Sequence, residues 1–482
     1  MAEDLSPDTD GSMPTRDGMT GDPALHAPAR DGSLALFADL YELTMLEAYH
    51  REGLGGQAVF SLYVRKLPAR RNYLVACGLE TVLDHLAGFR FSGDDIAYLR
   101  SLATFSDPFL RRLPGFRFTG DVFAVPEGTP VFANEPILEV VAPIAEAQIV
   151  ETFVMNQIHL QTVLASKAAR VVEAAAGRPV IDFGARRMHG IDAAQKAARA
   201  FYIAGVAATS NVLAGKAYGI PVAGTMAHSY VQAHECECAA FRAFVASFPE
   251  TVLLVDTYDT IAGVRNVIEL ARRMGDDFRV SAVRLDSGDL AGLALESRRL
   301  LDQAGLGAVR IFASGGLDED RIAELIAAGA PIDGFGVGTR MGVSHDAPDL
   351  DIAYKLCDYA GRGRVKLSPG KPILPGRKQV FRAGAGGVAA GDIIARDGEA
   401  LAGRPLLARV MRAGRRTDPS PPSLDELRRR AREEIGWLPR HIRALAPAVP
   451  PYRVELSDAL ESYAEDIRQA AEGQVAQPEF DC

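Results

Sequence analysis

The chain has 482 residues, 48% hydrophobic and 24% charged, with one tryptophan at Trp437; that length accommodates two or three globular domains with sizeable cores. Its 53 basic and 62 acidic side chains leave a net charge of −9, which disfavours a broad nucleic-acid or anionic-membrane footprint and still permits a local anion pocket. Five scattered cysteines (Cys77, Cys236, Cys238, Cys357 and Cys482), no apolar run of spanning length and no basic-then-apolar leader argue against a disulfide framework, a membrane span and secretion, so a cytoplasmic protein is expected.

Residues 1–30 are rich in Asp, Gly, Pro and Thr and are expected to be disordered. From residue 31 to 145 an α+β unit is expected. Leu36, Leu40, Leu43 and Leu46 mark one helical face ending at Gly53, AVFSLYVRKLP alternates like a strand, and Leu79–Leu86 reads as a helix. Short Pro- and Gly-broken strands follow in GDVFAVPEGTPVFANEPILEVVAP. A long helix is expected over Ala145–Ala176, with Val150, Phe153, Val154 and Ile158 on one face.

A βα rhythm then runs to about residue 358. The apolar strands end in polar or glycine clusters: PVIDFGARR, PVAGTMAHS, TVLLVDTYDT, SAVRLDSGDL, VRIFASGGLDE and PIDGFGVGTR. Continuous apolar strands with serial crossovers imply a parallel sheet covered on both faces. The fold class expected is α/β: an irregular, incomplete α/β barrel over 146–358, an N-terminal α+β domain, and a C-terminal extension over 359–482 packed on it. In that extension GRGRVKLSPGKPILPGRKQVFR reads as basic loops and strands. ELRRRAREEIGWL and DALESYAEDIRQAAEG read as solvent-facing helices, with Arg428–Arg430 on a solvated face.

Six carboxyl strand ends should converge at one mouth, where α/β proteins build their sites. Within Ala208–Ser229 a helix carrying Asn211 and Lys216 is expected before a buried strand, Val222–Gly224, which delivers Thr225 and His228 to that mouth. His228 suits chemistry or a structural capping role equally. Ala313–Gly316 and Gly336–Thr339 are glycine loops whose N–H groups can approach a phosphate, or simply tight turns. Arg284 with Asp286 and Asp289 can hold an anion together with a ribose or Mg²⁺, or the acids can cap a helix. Phe183 beside Arg186 and Arg187 suits a planar anionic ring or a phosphorylated sugar, or core plus surface charge. Asp256, at a strand end, can orient a histidine. Cys236-Glu237-Cys238 near His234 lacks a second ligand pair and reads as incidental thiols. No G-x-S-x-G, H-E-x-x-H or Walker-type lysine loop is present.

In order, ADLYELTMLEAYHREG, DFGARRMHG, ATSNVLAGKAYGIPVAGTMAHS, LLVDTYDT, VRLDSGDL, ASGGLDE, DGFGVGT, YKL, KLSPGK and LPGRKQVFR resemble nicotinate phosphoribosyltransferase, a type II phosphoribosyltransferase, over roughly Leu34–Arg382. The resemblance implies a dimer with sites shared between subunits. It also implies that nicotinate and phosphoribosyl pyrophosphate yield nicotinate mononucleotide and pyrophosphate, driven by ATP with Mg²⁺. By the same likeness His228 is the histidine phosphorylated by ATP, and Asp256 holds its imidazole. Tyr41 reaches the nicotinate pocket across the dimer, Phe183 stacks on the pyridine, and Thr225 and Arg284 face its carboxylate. Arg186, Gly315, Gly316, Gly338 and Thr339 take the phosphoribosyl group, and Asp286 contacts ribose or Mg²⁺. Ser314-Gly315-Gly316 departs from the Ser-Asn-Asp/Asn of many relatives, and the four-cysteine zinc knuckle of some is missing, so no structural zinc is expected. Nicotinamide or quinolinate phosphoribosyltransferases are the same-fold alternatives. A sugar-phosphate barrel lyase or isomerase would need a Schiff-base lysine or catalytic glutamate that these strand ends lack. A non-catalytic binding protein would release no pyrophosphate.

Overall fold

The computed structural model describes residues 34–368 and 373–476; the tail expected to be disordered and the end of KLSPGK lie outside them. α1 (Leu40–Glu52) starts at a reciprocal capping box of Asp39 and Glu42 and ends at Gly53, whose φ of 69° is left-handed. The leucine spacing overstates its buried face. Leu36 precedes the helix and Leu40 is 57% exposed, leaving Leu43 and Leu46 to pack inward. β1 (Gln57–Val64), α2 (Leu79–Gly88), β2 (Asp121–Ala124) and β3 (Pro136–Pro143) follow. β1 is buried from Ala58 to Val64 despite its alternating sequence, because it runs through the middle of its sheet. α3 (Glu151–Ala174) begins after a break at Ile149 and Val150, which separates it from a short helix, Ile144–Gln148.

The repeating units then come in sequence: β4 (Val180–Asp182), α4 (Ile191–Ile203), β5 (Ala208–Thr209), α5 (Val212–Tyr218), α6 (His228–Gln232), α7 (Glu237–Ser247), β6 (Val252–Leu254), α8 (Thr260–Met274), β7 (Ala282–Leu285), α9 (Leu290–Gln303), β8 (Arg310–Ala313), α10 (Glu319–Ala327), β9 (Gly334–Val337) and α11 (Thr339–Gly342). The strands form one parallel sheet, ordered β5-β4-β9-β8-β7-β6 and curled as a half-barrel. One expected strand is corrected. Val222–Gly224 makes only a single bridge, with Thr209, and Val222 is 52% exposed. Pro221 has no N–H to extend the ladder. The true strand of that segment is β5, whose Thr209 N–H donates to Pro221 O and whose carbonyl accepts from Ala223 N.

The remaining elements are β10 (Ile352–Tyr359), β11 (Lys378–Ala385), β12 (Val388–Arg396), β13 (Ala408–Arg412), α12 (Leu424–Trp437), β14 (Val454–Leu456) and α13 (Asp458–Ala476). They reach back to the start of the chain. β10 pairs with β1 and β13 with β2 in a seven-stranded sheet whose inner order is β10-β1-β3-β2-β13. β11, β12 and β14 build a second sheet. The expected solvated face of α12 also needs correction. Leu427 and Ala431, one turn apart, are buried, and Arg428 donates to the carbonyls of Gly205 and Val206 beyond the end of α4. A cation there complements the helix dipole.

A buried ion network anchors the parallel unit to the N-terminal segment. Lys167 on α3 reaches Glu319 and, at 2.7 Å, Asp346. Arg170 joins Glu319 at 2.9 Å and Arg71 joins Asp346 at 2.7 Å. These cations hold the Asp346 carboxyl well below its ordinary range against the upward push of burial.

Candidate active site

The carboxyl ends of the parallel strands collect most of the residues singled out from the sequence. Phe183 leaves β4 with its N–H donating to Val337 O at 2.8 Å, which lays the ring across β9. Gly336 makes this possible. A Cβ there would stand 2.4 Å from the Phe183 ring, so this glycine is a strand residue that accommodates an aromatic side chain, and the glycine loop proper begins only at Gly338. The Arg284 guanidinium carbon lies 5.8 Å from the centroid of the same ring.

Arg284 projects from β7 and donates through Nη1 to Thr225 Oγ1 and through Nη2 to Met226 O, at 3.3 Å. Burial pulls its guanidinium below the ordinary value, against the nearby charges of Asp286 and Asp256; exposed Arg186 pulls the same way as burial. Its Nε is buried without a protein partner. Buried donors are rarely left unsatisfied.

His228 opens α6, and its Nδ1 lies 3.2 Å from Thr257 Oγ1. The expected partnership with Asp256 is not formed in this structure. Asp256 Oδ2 instead accepts from Asp286 N at 2.9 Å and Ser287 Oγ at 2.7 Å, while Oδ1 is buried and unpartnered. The chain turns sharply after β6, so Thr257 and not Asp256 faces the imidazole. Asp286 accepts from Ser314 Oγ at 2.5 Å. Neither Asp286 nor Ser287 caps α9; Asp289 occupies the cap position and is exposed.

Gly315 and Gly316, with φ of 87° and 65°, form an exposed left-handed turn. A Cβ at Gly315 would sit 1.7 Å from Asp286 O, so the loops after β7 and β8 touch backbone to backbone. The amino end of α10 beyond this turn is closed by Asp318, which accepts from Arg321 N at 2.9 Å and pairs with Arg340. The start of α11 after Gly338 has no side-chain cap. There Thr339 Oγ1 lies 3.1 Å from Arg187 Nη1.

Sequence reasoning passed over the supporting polar groups Asp182, Thr209 and Thr257, and took Ser314 only as part of a glycine loop. Asp182 is fully buried and accepts from Gly184 N and Thr209 Oγ1, at 2.8 and 2.7 Å. Burial raises its carboxyl despite those bonds. Its position directly before Phe183 in the quoted string was the available signal. Asn211 caps α5 through Ala214 N. Tyr41 is placed elsewhere, exposed on the first turn of α1, where partial burial and then the charges of Glu151 and Glu42 raise its phenol. Cys236 and Cys238 are exposed thiols, and no described helix is long and apolar enough to cross a membrane.

A model of the nicotinate phosphoribosyltransferase N-terminal domain matches residues 36–159, and a model of the nicotinate phosphoribosyltransferase family matches residues 179–372. The chain is 58% identical over 436 residues to a Mycobacterium tuberculosis nicotinate phosphoribosyltransferase, pncB2, covering 90% of this chain and 94% of that protein. It is 44% identical over 361 residues to the Bacillus subtilis nicotinate phosphoribosyltransferase, covering 73% and 74%. The crystal structure of human nicotinic acid phosphoribosyltransferase superposes with a TM-score of 0.80 at 29% identity, over 89% of this chain and 99% of that one. A nicotinate-nucleotide pyrophosphorylase from Pyrococcus furiosus follows at 0.69 and 25%, over 88% and 98%.

Proposed function

This chain belongs to the nicotinate phosphoribosyltransferase family, and from that premise we propose how its strand ends divide the work of joining nicotinate to phosphoribosyl pyrophosphate in NAD biosynthesis. The observation that carries the reading is Arg284: a largely buried guanidinium, fixed by Thr225 and Met226 O, with a free Nε and the Phe183 ring alongside. An aromatic ring stacked on Phe183 with its carboxylate on Arg284 satisfies both groups. Arg186, Gly315, Gly316, Gly338 and Thr339 take the phosphoribosyl group, supported by the uncapped start of α11 and the exposed glycine turn.

Displacement of pyrophosphate from the anomeric carbon by the pyridine nitrogen builds oxocarbenium character. The protein's contribution is then to position the ring and to stabilise the departing anion. Asp286, whose backbone N–H binds Asp256 Oδ2, would hold Mg²⁺ shared with the substrate, with the unpartnered Asp256 Oδ1 in the same loop pair. The metal would neutralise pyrophosphate charge.

In the same reading His228 accepts the γ-phosphoryl group of ATP, releasing ADP, and later yields it to water. Asp256 then acts on His228 only at one remove, through the Ser287 and Thr257 loops. The enzyme is a cytoplasmic homodimer in which Tyr41 serves the partner's site. In support, Leu34, Phe37, Leu40 and Tyr41, at and just before the start of α1, are all exposed apolar side chains, as are Val212, Leu213 and Val222. The half-barrel is read as an irregular, incomplete barrel that begins near residue 146 and ends before 352, because β10 (Ile352–Tyr359) already joins the sheet of β1.

The test is pyrophosphate release with nicotinate, nicotinamide and quinolinate, each with and without ATP. Nicotinate should be the best substrate and ATP should raise its turnover; preference for either other pyridine overturns the assignment. Labelled ATP should leave acid-labile, base-stable phosphate on the protein, and His228→Ala should abolish it. Label persisting in that variant identifies a different acceptor.

A further inference from the structure

Away from the strand ends, a cavity of about 560 Å³ lies between the sheet of β1, β3 and β10 and the sheet of β11, β12 and β14. Protein interiors pack tightly and seldom keep voids much larger than a water molecule, whereas sites for drug-sized molecules span roughly 300–1,000 Å³. No strand-end residue of the parallel sheet contributes to its lining. Its walls are mainly apolar, with Leu67, Phe132, Leu374, Ile394, Val454 and Leu456 among them.

The charge state of the cavity follows from its polar floor. Among the described residues Lys378 is the only charged side chain lining it, and its Nζ is already engaged by Leu374 O at 3.2 Å, Gly376 O at 2.5 Å and Glu139 Oε1 at 3.1 Å. The other Glu139 oxygen accepts from Lys378 N, and Ser61 Oγ donates to Oε1 at 2.6 Å. The floor is therefore a closed, neutral ion pair with no donor left for an anion. Tyr452 is likewise committed, donating to Asp392 Oδ1 at 2.9 Å and stacked 3.9 Å from Phe132. Asn134, exposed at the rim and held at a φ of 67°, supplies an amide at the entrance.

We propose that this inter-sheet cavity is a second small-molecule site, separate from the nicotinate site, for an uncharged and mainly apolar ring compound whose single polar group meets Asn134. Among the described lining residues a charged ligand would find no unpaired opposite charge to offset its desolvation. The proposal does not depend on which pyridine the enzyme uses.

Fluorescence titration of the full-length protein with phenylnaphthylamine, an uncharged aromatic probe, tests it. Binding should saturate at about one probe per chain, and the sulfonated analogue should bind about tenfold or more weakly. Val454→Trp, which fills the space, should weaken probe binding about tenfold with nicotinate turnover retained. Ala133→Leu provides a milder filling should that variant fold poorly. Equal or tighter binding of the sulfonated probe overturns the neutral-ligand assignment. Non-saturating binding, or binding indifferent to both fillings, overturns the site itself.

Discussion

Gly336→Ala isolates one steric relation at the mouth. The glycine sits in β9 without positive φ, so alanine brings no backbone strain there. The added methyl would meet Phe183 Cε2 at 2.4 Å and Cδ2 at 2.6 Å, where ordinary contact begins at 3.4 Å. Relieving that overlap requires the ring to retreat by about 1 Å, or β9 to move against a fully buried neighbour set. Overpacking of this kind costs about 1–3 kcal/mol. A misplacement of about 1 Å at a positioned group can cost about a hundredfold in rate. The expected result is a rise of about ten- to a hundredfold in the Michaelis constant for nicotinate with that for phosphoribosyl pyrophosphate nearly unchanged, and a lower thermal midpoint. The decisive comparison is a double-mutant cycle with Phe183→Ala. Once the ring is gone the methyl has nothing to strike, so the two losses should be strongly non-additive. Additive losses, or an unchanged nicotinate constant in Gly336→Ala, would refute the argument that this glycine exists to seat the ring.

Other perturbations read other parts of the structure. Arg284→Ala should raise the nicotinate Michaelis constant far more than that for ATP, by about 10–100-fold, as expected for a lost charge-assisted pair; Arg284→Lys should recover little, since the planar fork is lost. Lys167→Met should cost about 3–5 kcal/mol in denaturant unfolding, because Glu319 and Asp346 lose a buried partner. Burial lifts the Glu42 carboxyl to about 7, aided by Glu151 and opposed by bonds from Thr152 and Asp39. Its folded value thus exceeds its unfolded one, and the stability it contributes is present at acid pH and lost as pH rises toward and through 7. Glu42→Gln should flatten that part of the thermal-midpoint profile; an unchanged slope between pH 5 and 8 would count against it.

Much of the layout is legible in the residue order because it rests on local rules. Apolar strands ending in glycine or acid clusters mark βα units, so Phe183, Arg284, Asp286, Gly315 and Gly338 could be placed at one rim before any coordinates. His228 could be placed beside them, but not its partner: Asp256 and Thr257 are adjacent in sequence, and the turn after β6 decides which one faces the ring. Nor could local pattern show that Val222 falls short of a strand, since the ladder depends on what β5 and Pro221 can donate.

The sequence by itself determined the order of the units, the chemistry carried at each strand end and the family likeness, because these depend on residue type and short-range spacing. Only the tertiary structure decided that β10 and β13 return to the sheet begun by β1 and β2, that Gly336 makes room for Phe183, and that Arg428 seals α4. Those contacts join residues from tens to hundreds of positions apart. Their energy comes from close packing and completed hydrogen bonds, which no local pattern encodes.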